Sequence, residues 1–324
     1  MISYLIRRIP ILFLTLVGIA VIVFGMIHIV PGDAADLLRQ SGGMKVSKES
    51  IESMRKLWHL DQPVWRQFLL WSSDLLRGNF GNSIQDGRPV LTRISEALPS
   101  TLLLNAASLF VAIVVAIPVG ILAAARRGSR FDRFSGVGFF MLMSLPDFWI
   151  ALLLGSLISV KLGWLPLFGM TSDNYAQLSA AGKIVDRISH LILPTTCLTM
   201  TSLAFLSRLA RSSLLEVIRQ DYVRTARAKG LSERTVLFKH AFRNALVPLV
   251  TLFGFLLPAM IGGSVIIERI FSWPGIGRLY FDAILTRDYP IIMGLTLFTG
   301  ALTLAANLIS DILYAAVDPR VRLQ

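Results

Sequence analysis

The amino-acid sequence predicts an all-α polytopic membrane protein with six transmembrane helices and both termini in the cytosol. Three observations carry that expectation. Of the 324 residues 54% are hydrophobic and 16% are charged, a balance that would leave a soluble domain of this size exposing too much apolar surface. The apolar residues gather in six runs, each near the roughly 20 residues needed to cross a hydrocarbon core of about 30 Å. Nearly all of the formal net charge of +12 falls in the polar segments on one side of those runs. The positive-inside rule assigns that side to the cytosol. The basicity is thereby explained by topology, and nucleic acid is not needed as a partner.

The six runs lie at about 10–30, 101–125, 135–160, 190–209, 246–267 and 291–317. They divide the chain into an N-terminal tail with a first span (1–30), an extracytoplasmic segment (31–99) and a five-helix core (100–324). The first run follows Arg7 and Arg8, as a signal peptide would. It is longer than the typical signal core of about 7–15 residues and no clear small-x-small site follows, so it reads as an uncleaved span. In the external segment, residues 50–58 are helical in pattern. Residues 64–76 place Trp65, Phe68, Leu69 and Leu76 on one broad face, as a small cap on the bundle or a dock for a delivery protein would. The glycines at 78, 81 and 87 then mark a loop.

The second run holds Pro118, tolerated because neighbouring helices can satisfy the freed carbonyl. In the third, MSLPDFW interrupts the apolar pattern and sets Asp147 at membrane depth. A carboxylate there is costly enough to be a functional candidate, and protonation or pairing for packing is the other reading. Residues 161–189 read as a second outer loop. Cys197, the single cysteine, sits in an apolar run and permits no intramolecular disulfide. After the fifth run, residues 268–290 (ERIFSWPGIGRLYFDAILTRDYP) are dense in glycine and proline and too polar to span. They read as a re-entrant or gate-like turn, with Glu268 at its start, or as a plain connection. Asp311, near the inner end of the last run, is expected to pair with a basic residue at the interface.

The stretch around which the rest is organised is the cytosolic loop at about 210–245. Between Arg208 and Arg243 it carries nine Lys or Arg against Glu216, Asp221 and Glu233. It also reads as ordered, because Leu215, Ile218, Tyr222, Val223 and Ala226 fall near helical spacing. Gly230 is a natural helix stop, and Ser232 can cap a second short helix carrying Val236, Leu237 and His240. Two helices with a glycine break under a membrane are a shape another protein can grip.

RTARAKG (224–230), followed by a basic run and RNALVP, resembles the cytoplasmic coupling loop of ABC-importer permeases. Ala226 and Gly230 fit the general pattern of that loop. Arg224 stands at its glutamate position, Thr225 at its first alanine and His240–Arg243 at its Ile-x-Leu-Pro, the form usual in the branch that imports peptides and nickel. Five more blocks, in order, are similar to the same branch: LDQPVWRQFLLWSSDLLRGNFGNSI, GRPVLTRISEALPSTLLLNAASL, SLPDFWIALLLGSLISVKLGWLP, IIERIFSWPGIGRLYFDAILTRDYPIIMG and NLISDILYAAVDPRVR. Together they resemble the dipeptide/oligopeptide/nickel permease family, and within it the B-type subunit.

That resemblance implies an ABC-importer permease fold in a prokaryotic cytoplasmic (inner) membrane. It implies a second, C-type permease, two ATPase subunits and an extracytoplasmic substrate-binding protein as partners, with membrane lipid around them. The coupling role would fall on Asp221, Tyr222, Arg224, Thr225, Ala226, Arg227, Ala228, Lys229 and Gly230. Asp147 and Glu268 are candidates for the pathway or a gate. The sequence holds no GxxxxGK[ST] phosphate loop, no catalytic pair and no metal-ligand spacing, and its four histidines are scattered. ATP is therefore expected to be used by the partners, with no cofactor bound by this chain. Di- or oligopeptide is the expected cargo, with nickel or another small solute as the alternative. A secondary transporter is the reading from another class, against which stand the absence of a visible repeat and the single deep carboxylate.

Overall fold

The computed structural model describes residues 2–29, 61–246, 248, 258, 260–262 and 264–317. Within them the chain is helices joined by turns, with one isolated antiparallel bridge between Asn82 and Pro89. The helical pattern expected at 50–58, most of the fifth apolar run at 246–267 and the tail from 318 lie outside the described residues. Three helices are long and apolar enough to cross a membrane singly, at Ile6–Ile29, Val90–Ala125 and Tyr289–Ile312, and two bent pairs raise the described spans to as many as five.

Helix α1 (Ile2–Ile29) leaves most of its apolar side chains exposed and packs chiefly on α12 (Tyr289–Val317). The two are pinned at one end by Asp311, which accepts from Tyr4 Oη at 2.5 Å and from Arg8 Nη2 at 3.4 Å. The pairing expected of Asp311 is thus present. At the other end of α1, helix α2 (Val64–Leu76) begins after Pro63. Phe68 and Trp71 of α2 form an aromatic cluster with Phe24, and His28 Nε2 lies 3.1 Å from Gln67 Oε1. The broad face expected on this helix is split, because Trp65, Leu69 and Leu76 stay exposed while Phe68 turns to α1.

Helix α3 (Val90–Ala125) runs through Pro99 and Pro118 without a break. It begins well before the expected run at 101, because Val90, Ile94 and Ala97 are spaced to bury one stripe against Ile276, Ala283, Ile291 and Leu295. Packing thereby offsets the hydrogen bond lost at Pro99. The next span is broken. Helix α4 (Arg130–Ser144) stops at Leu145, whose ψ of 133° is extended, as the following Pro146 demands. Helix α5 (Asp147–Leu154) then starts 98° away and runs into a π-helical turn at Gly155–Lys161.

Helix α6 (Ala180–Ile218) is capped by Ser179, whose Oγ accepts from the Gly182 N–H at 3.2 Å. The expected loop at 161–189 is shorter for that reason, ending at Ser179. Among the described residues, helices α3 and α6 form the most extensive pairing. They meet through small residues: Ala112, Ala116 and Ala210 are buried there, and a Cβ on Gly120 would lie 2.4 Å from the Ser207 carbonyl oxygen. Close backbone approach is how membrane helices gain contact when lipid and side chain are equally apolar.

Candidate functional site

Two constructions stand far apart along α3. Ala124 packs in its last turn and Thr101 about three turns in from its start, about 35 Å apart at 1.5 Å rise per residue.

At the Ala124 end, α6 stops at Ile218 and the chain turns into α7 (Asp221–Ala228). The buried side of α7 is Val223 and Ala226, which join Ala124, Leu214, Val236, Ala241 and Ala245 in one cluster. The other side is exposed and polar: Asp221, Tyr222, Arg224, Thr225, Arg227, Ala228, Lys229 and Gly230. Asp221 occupies the first turn, where a carboxylate complements the positive end of the helix. Gly230 ends the segment at φ +78°, a conformation costly for any side chain, as the sequence led us to expect. Ser232 then caps α8 (Glu233–Thr235), accepting from the Thr235 N–H at 3.3 Å. A π-helical turn (Val236–Ala241) and α9 (Phe242–Ala245) bring the chain back against α6.

Two contacts not anticipated from the sequence close this loop. Arg227 reaches over Gly230 to donate to both oxygens of Glu233, at 2.7 and 3.1 Å. The guanidinium holds the Glu233 carboxyl below its ordinary range, and the carboxylate raises Arg227 in turn. Asn244 Nδ2 donates to Tyr222 Oη at 2.8 Å. A third tie lies alongside. Arg211 on α6 donates to both oxygens of Asp132, near the start of α4, at 2.6 and 2.9 Å, and Gly128 N–H donates to the same carboxylate at 2.9 Å. The loop therefore packs on α3 and α6, and α6 is in turn tied to α4.

At the Thr101 end, residues 264–286 form a helix–turn–helix, α10 (Val265–Ile270) and α11 (Ile276–Thr286). Glu268 is fully buried. Its Oε1 accepts from Thr101 Oγ1 at 2.9 Å and its Oε2 from the Arg278 N–H at 3.0 Å. Thr101 Oγ1 accepts in turn from the Ile276 N–H at 2.8 Å, and Trp273 Nε1 donates to the Ser100 carbonyl at 2.8 Å. Ser83 and the Ile84 N–H donate to the buried Asp288, fastening the hairpin around Gly87 to the start of α12.

Asp147 is exposed in the first turn of α5 at the 98° bend, one turn before Ile150 and Ala151, which pack with Ile267 and Phe271. Among the described residues no three His, Cys, Asp or Glu side chains come together as a metal set.

Apolar spanning helices carrying an ordered polar loop define a multi-pass helical membrane protein. The family model for the inner membrane component of binding-protein-dependent transport systems matches residues 116–323, and that for the N-terminal part of such membrane components matches residues 1–105. The chain belongs to that family. It is 43% identical over 324 residues, 99% of each chain, to the oligopeptide transport system permease protein AppB of Bacillus subtilis. It is 35% identical over 339 residues, 99% of each chain, to the dipeptide transport system permease protein DppB of Escherichia coli K12. Among solved structures, the inward-facing MetNI methionine ABC transporter has a chain with the same fold, at a TM-score of 0.51 and 16% identity, covering 70% of this chain and 97% of that one.

Proposed function

We propose that this chain is the membrane-spanning pathway subunit of a binding-protein-dependent, ATP-driven importer of di- or oligopeptides in a prokaryotic inner membrane. One observation carries the mechanism: α7 presents a polar exposed face while its other side is sealed into the helices α3 and α6. A short helix held in that way can be gripped by a soluble partner and pass the partner's movement to the spans. Asp221 to Gly230 would occupy a groove on an ATPase subunit, with the loop and both termini cytosolic and six spans in all. The peptide reading rests on the relatives, which are named for oligopeptide and dipeptide transport.

The chain would bind no cofactor and catalyse no reaction itself, ATP being hydrolysed in two partner subunits. A second, C-type permease would complete the pathway. The broken span supports this, because Phe134, Phe140, Met141, Phe148 and Trp149 flank the bend and are all exposed. In that arrangement Asp147 faces the pathway or the second permease. Glu268, buried and hydrogen-bonded by neighbours, belongs to the scaffold of an outer gate and does not touch cargo.

The test is purification of the chain from its own membranes in mild detergent, with mass spectrometry of what accompanies it, beside a Gly230→Pro variant. A second permease and ATPase subunits should co-purify, and the ATPases should fall away in the variant. Recovery of the chain alone, or as a homodimer that moves solute in liposomes, overturns the reading.

A further inference from the structure

The burial of Glu268 needs a reason. A carboxylate removed from water is costly unless charge or several donors compensate it, and an apolar residue of similar size usually serves stability as well. No Lys or Arg side chain among the described residues bridges to Glu268. Arg278 gives it only its backbone N–H, while its guanidinium turns to the Ser272 carbonyl at 2.7 Å and to Asp282 at 3.6 Å. What the carboxylate provides is two acceptor oxygens with no proton of their own, drawing donors from different segments onto one point. One oxygen takes the Thr101 hydroxyl of α3, and the other takes the N–H of Arg278 in α11.

The turn is shaped around that group. A Cβ on Gly275 would lie 2.4 Å from Glu268 Oε2 and 2.5 Å from Thr101 Oγ1, and one on Gly277 would lie 3.0 Å from the same carboxylate oxygen. Ser272 holds φ at +50°, and backbone strain of that kind persists only where the surroundings over-determine it. Ser100 and Thr101, adjacent on α3, hold the turn from two sides, through the Trp273 indole and the Ile276 N–H. The same helix ends at Ala124 in the cluster that seats Val223 and Ala226 of the polar loop. Helix α3 is thus a continuous rod with the loop against its last turn and the hairpin turn fastened about three turns in from its start.

We propose that Glu268 is a positioning residue of the transport cycle: its buried carboxylate fastens the turn Phe271–Ile276 to α3, so that turn and helix move as one body when the polar loop is displaced. This rests on the importer reading above. A rigid helix attached firmly at two distant points is one way to carry coupling over such a distance, and Thr101–Glu268 is the attachment remote from the loop.

The experiment uses the complete importer in liposomes, measuring peptide uptake and ATP hydrolysis together. Glu268→Ala should assemble and hydrolyse ATP, with peptide moved per ATP reduced roughly tenfold, within the range of mutations that disturb coupling. Glu268→Gln, which keeps one acceptor oxygen and can donate to Thr101, should recover most of that ratio. The decisive variant combines E268A with Thr101→Cys and Gly275→Cys. Truncating Glu268 clears the space for a Cβ at 275, and a disulfide then replaces the carboxylate as the fastener. The native Cys197 is buried and does not compete.

If turn and helix move together, oxidation of the triple variant restores coupling and reduction removes it. If the turn must part from α3 during the cycle, the oxidised variant is inactive and reduction revives it, which overturns the proposal. Normal coupling in E268A also overturns it. If E268A fails to assemble, Thr101→Val, which removes the same hydrogen bond and keeps Glu268, decides the question: peptide moved per ATP should fall, and normal coupling overturns the proposal. Absence of peptide uptake by the wild-type complex, with ATP hydrolysis intact, would overturn the importer reading and this inference with it.

Discussion

Arg211 grips Asp132 through two hydrogen bonds of 2.6 and 2.9 Å, joining α6 to the first turn of α4. The carboxylate side chain is 8% exposed and the guanidinium 37%, so the pair is half-sheltered. Removing Arg211 leaves a nearly buried charge with a single remaining donor, Gly128 N–H. Removing both leaves none.

Arg211→Ala should therefore destabilise the folded chain by about 1.5–3 kcal/mol, the range for a charge-assisted hydrogen bond. The double variant Asp132→Asn with Arg211→Ala should be less damaging than the sum of the singles. Thermal unfolding in detergent across the four members of the cycle measures this. Additive losses would show that the two side chains do not depend on each other.

Gly120 gives a second test, one that sets packing against propensity. Alanine is favoured over glycine inside a helix by about 1 kcal/mol. At position 120 its Cβ would meet the Ser207 carbonyl at 2.4 Å and the Ala210 Cβ at 2.9 Å. Overpacking of that kind costs about 1–3 kcal/mol, so Gly120→Ala should lower the unfolding temperature. Gly18, which has nothing within 4 Å of a would-be Cβ, should accept alanine neutrally or with a small gain. Equal behaviour of the two variants would mean that α3 and α6 are not so closely apposed in the protein.

The contrast between those glycines also shows where the sequence stops being informative. Periodicity and hydropathy were enough to place α2, α3, α6 and α12, because each buries or exposes a stripe at helical spacing. The same signals announced a helix, a glycine stop and a serine cap in the polar loop, and the structure has all three at Asp221–Ala228, Gly230 and Ser232. What stayed hidden were contacts between residues far apart in the chain. Thr101 and Glu268 stand 167 positions apart, and Ser83 and Asp288 stand 205 apart. Nothing local distinguishes Thr101 from other helix threonines. The 98° break at Pro146 was only half legible, since a proline in an apolar run either kinks a span or is tolerated, as Pro99 and Pro118 are. Neighbours decide which, through packing that the sequence does not spell out.

Ser83 and Asp288 offer a test of the attached hairpin. Asp288 is 3% exposed and accepts from Ser83 Oγ at 2.5 Å and from the Ile84 N–H at 3.2 Å. Ser83→Ala removes one of the two donors and should cost about 1.5–3 kcal/mol locally, as expected for a hydrogen bond to a charged group. Hydrogen exchange should rise across residues 79–89 while the α7 loop keeps its protection. A uniform rise over both ends of the molecule would instead mean that the hairpin is part of one global unfolding unit.

Arg227 and Glu233 form the last test, in which pH sets the sign. The folded-state pKa of Glu233 is depressed by the Arg227 guanidinium. Its contribution to holding the loop is therefore complete above the unfolded carboxylate pKa and is lost as pH falls through the lower folded value. Loop stability should consequently be flat from pH 8 down to about the ordinary carboxylate pKa near 4. Because Glu233 is 62% exposed and Arg227 38%, the pair should contribute no more than about 0–1 kcal/mol. Glu233→Gln imitates the protonated form at neutral pH. It should raise hydrogen exchange at Lys229, Gly230 and Leu231 modestly, leave the unfolding temperature unchanged, and remove the acid-side loss seen in the wild-type loop. A large fall in unfolding temperature would show that the bridge supports the bundle as a whole, and that the loop is not a locally held element.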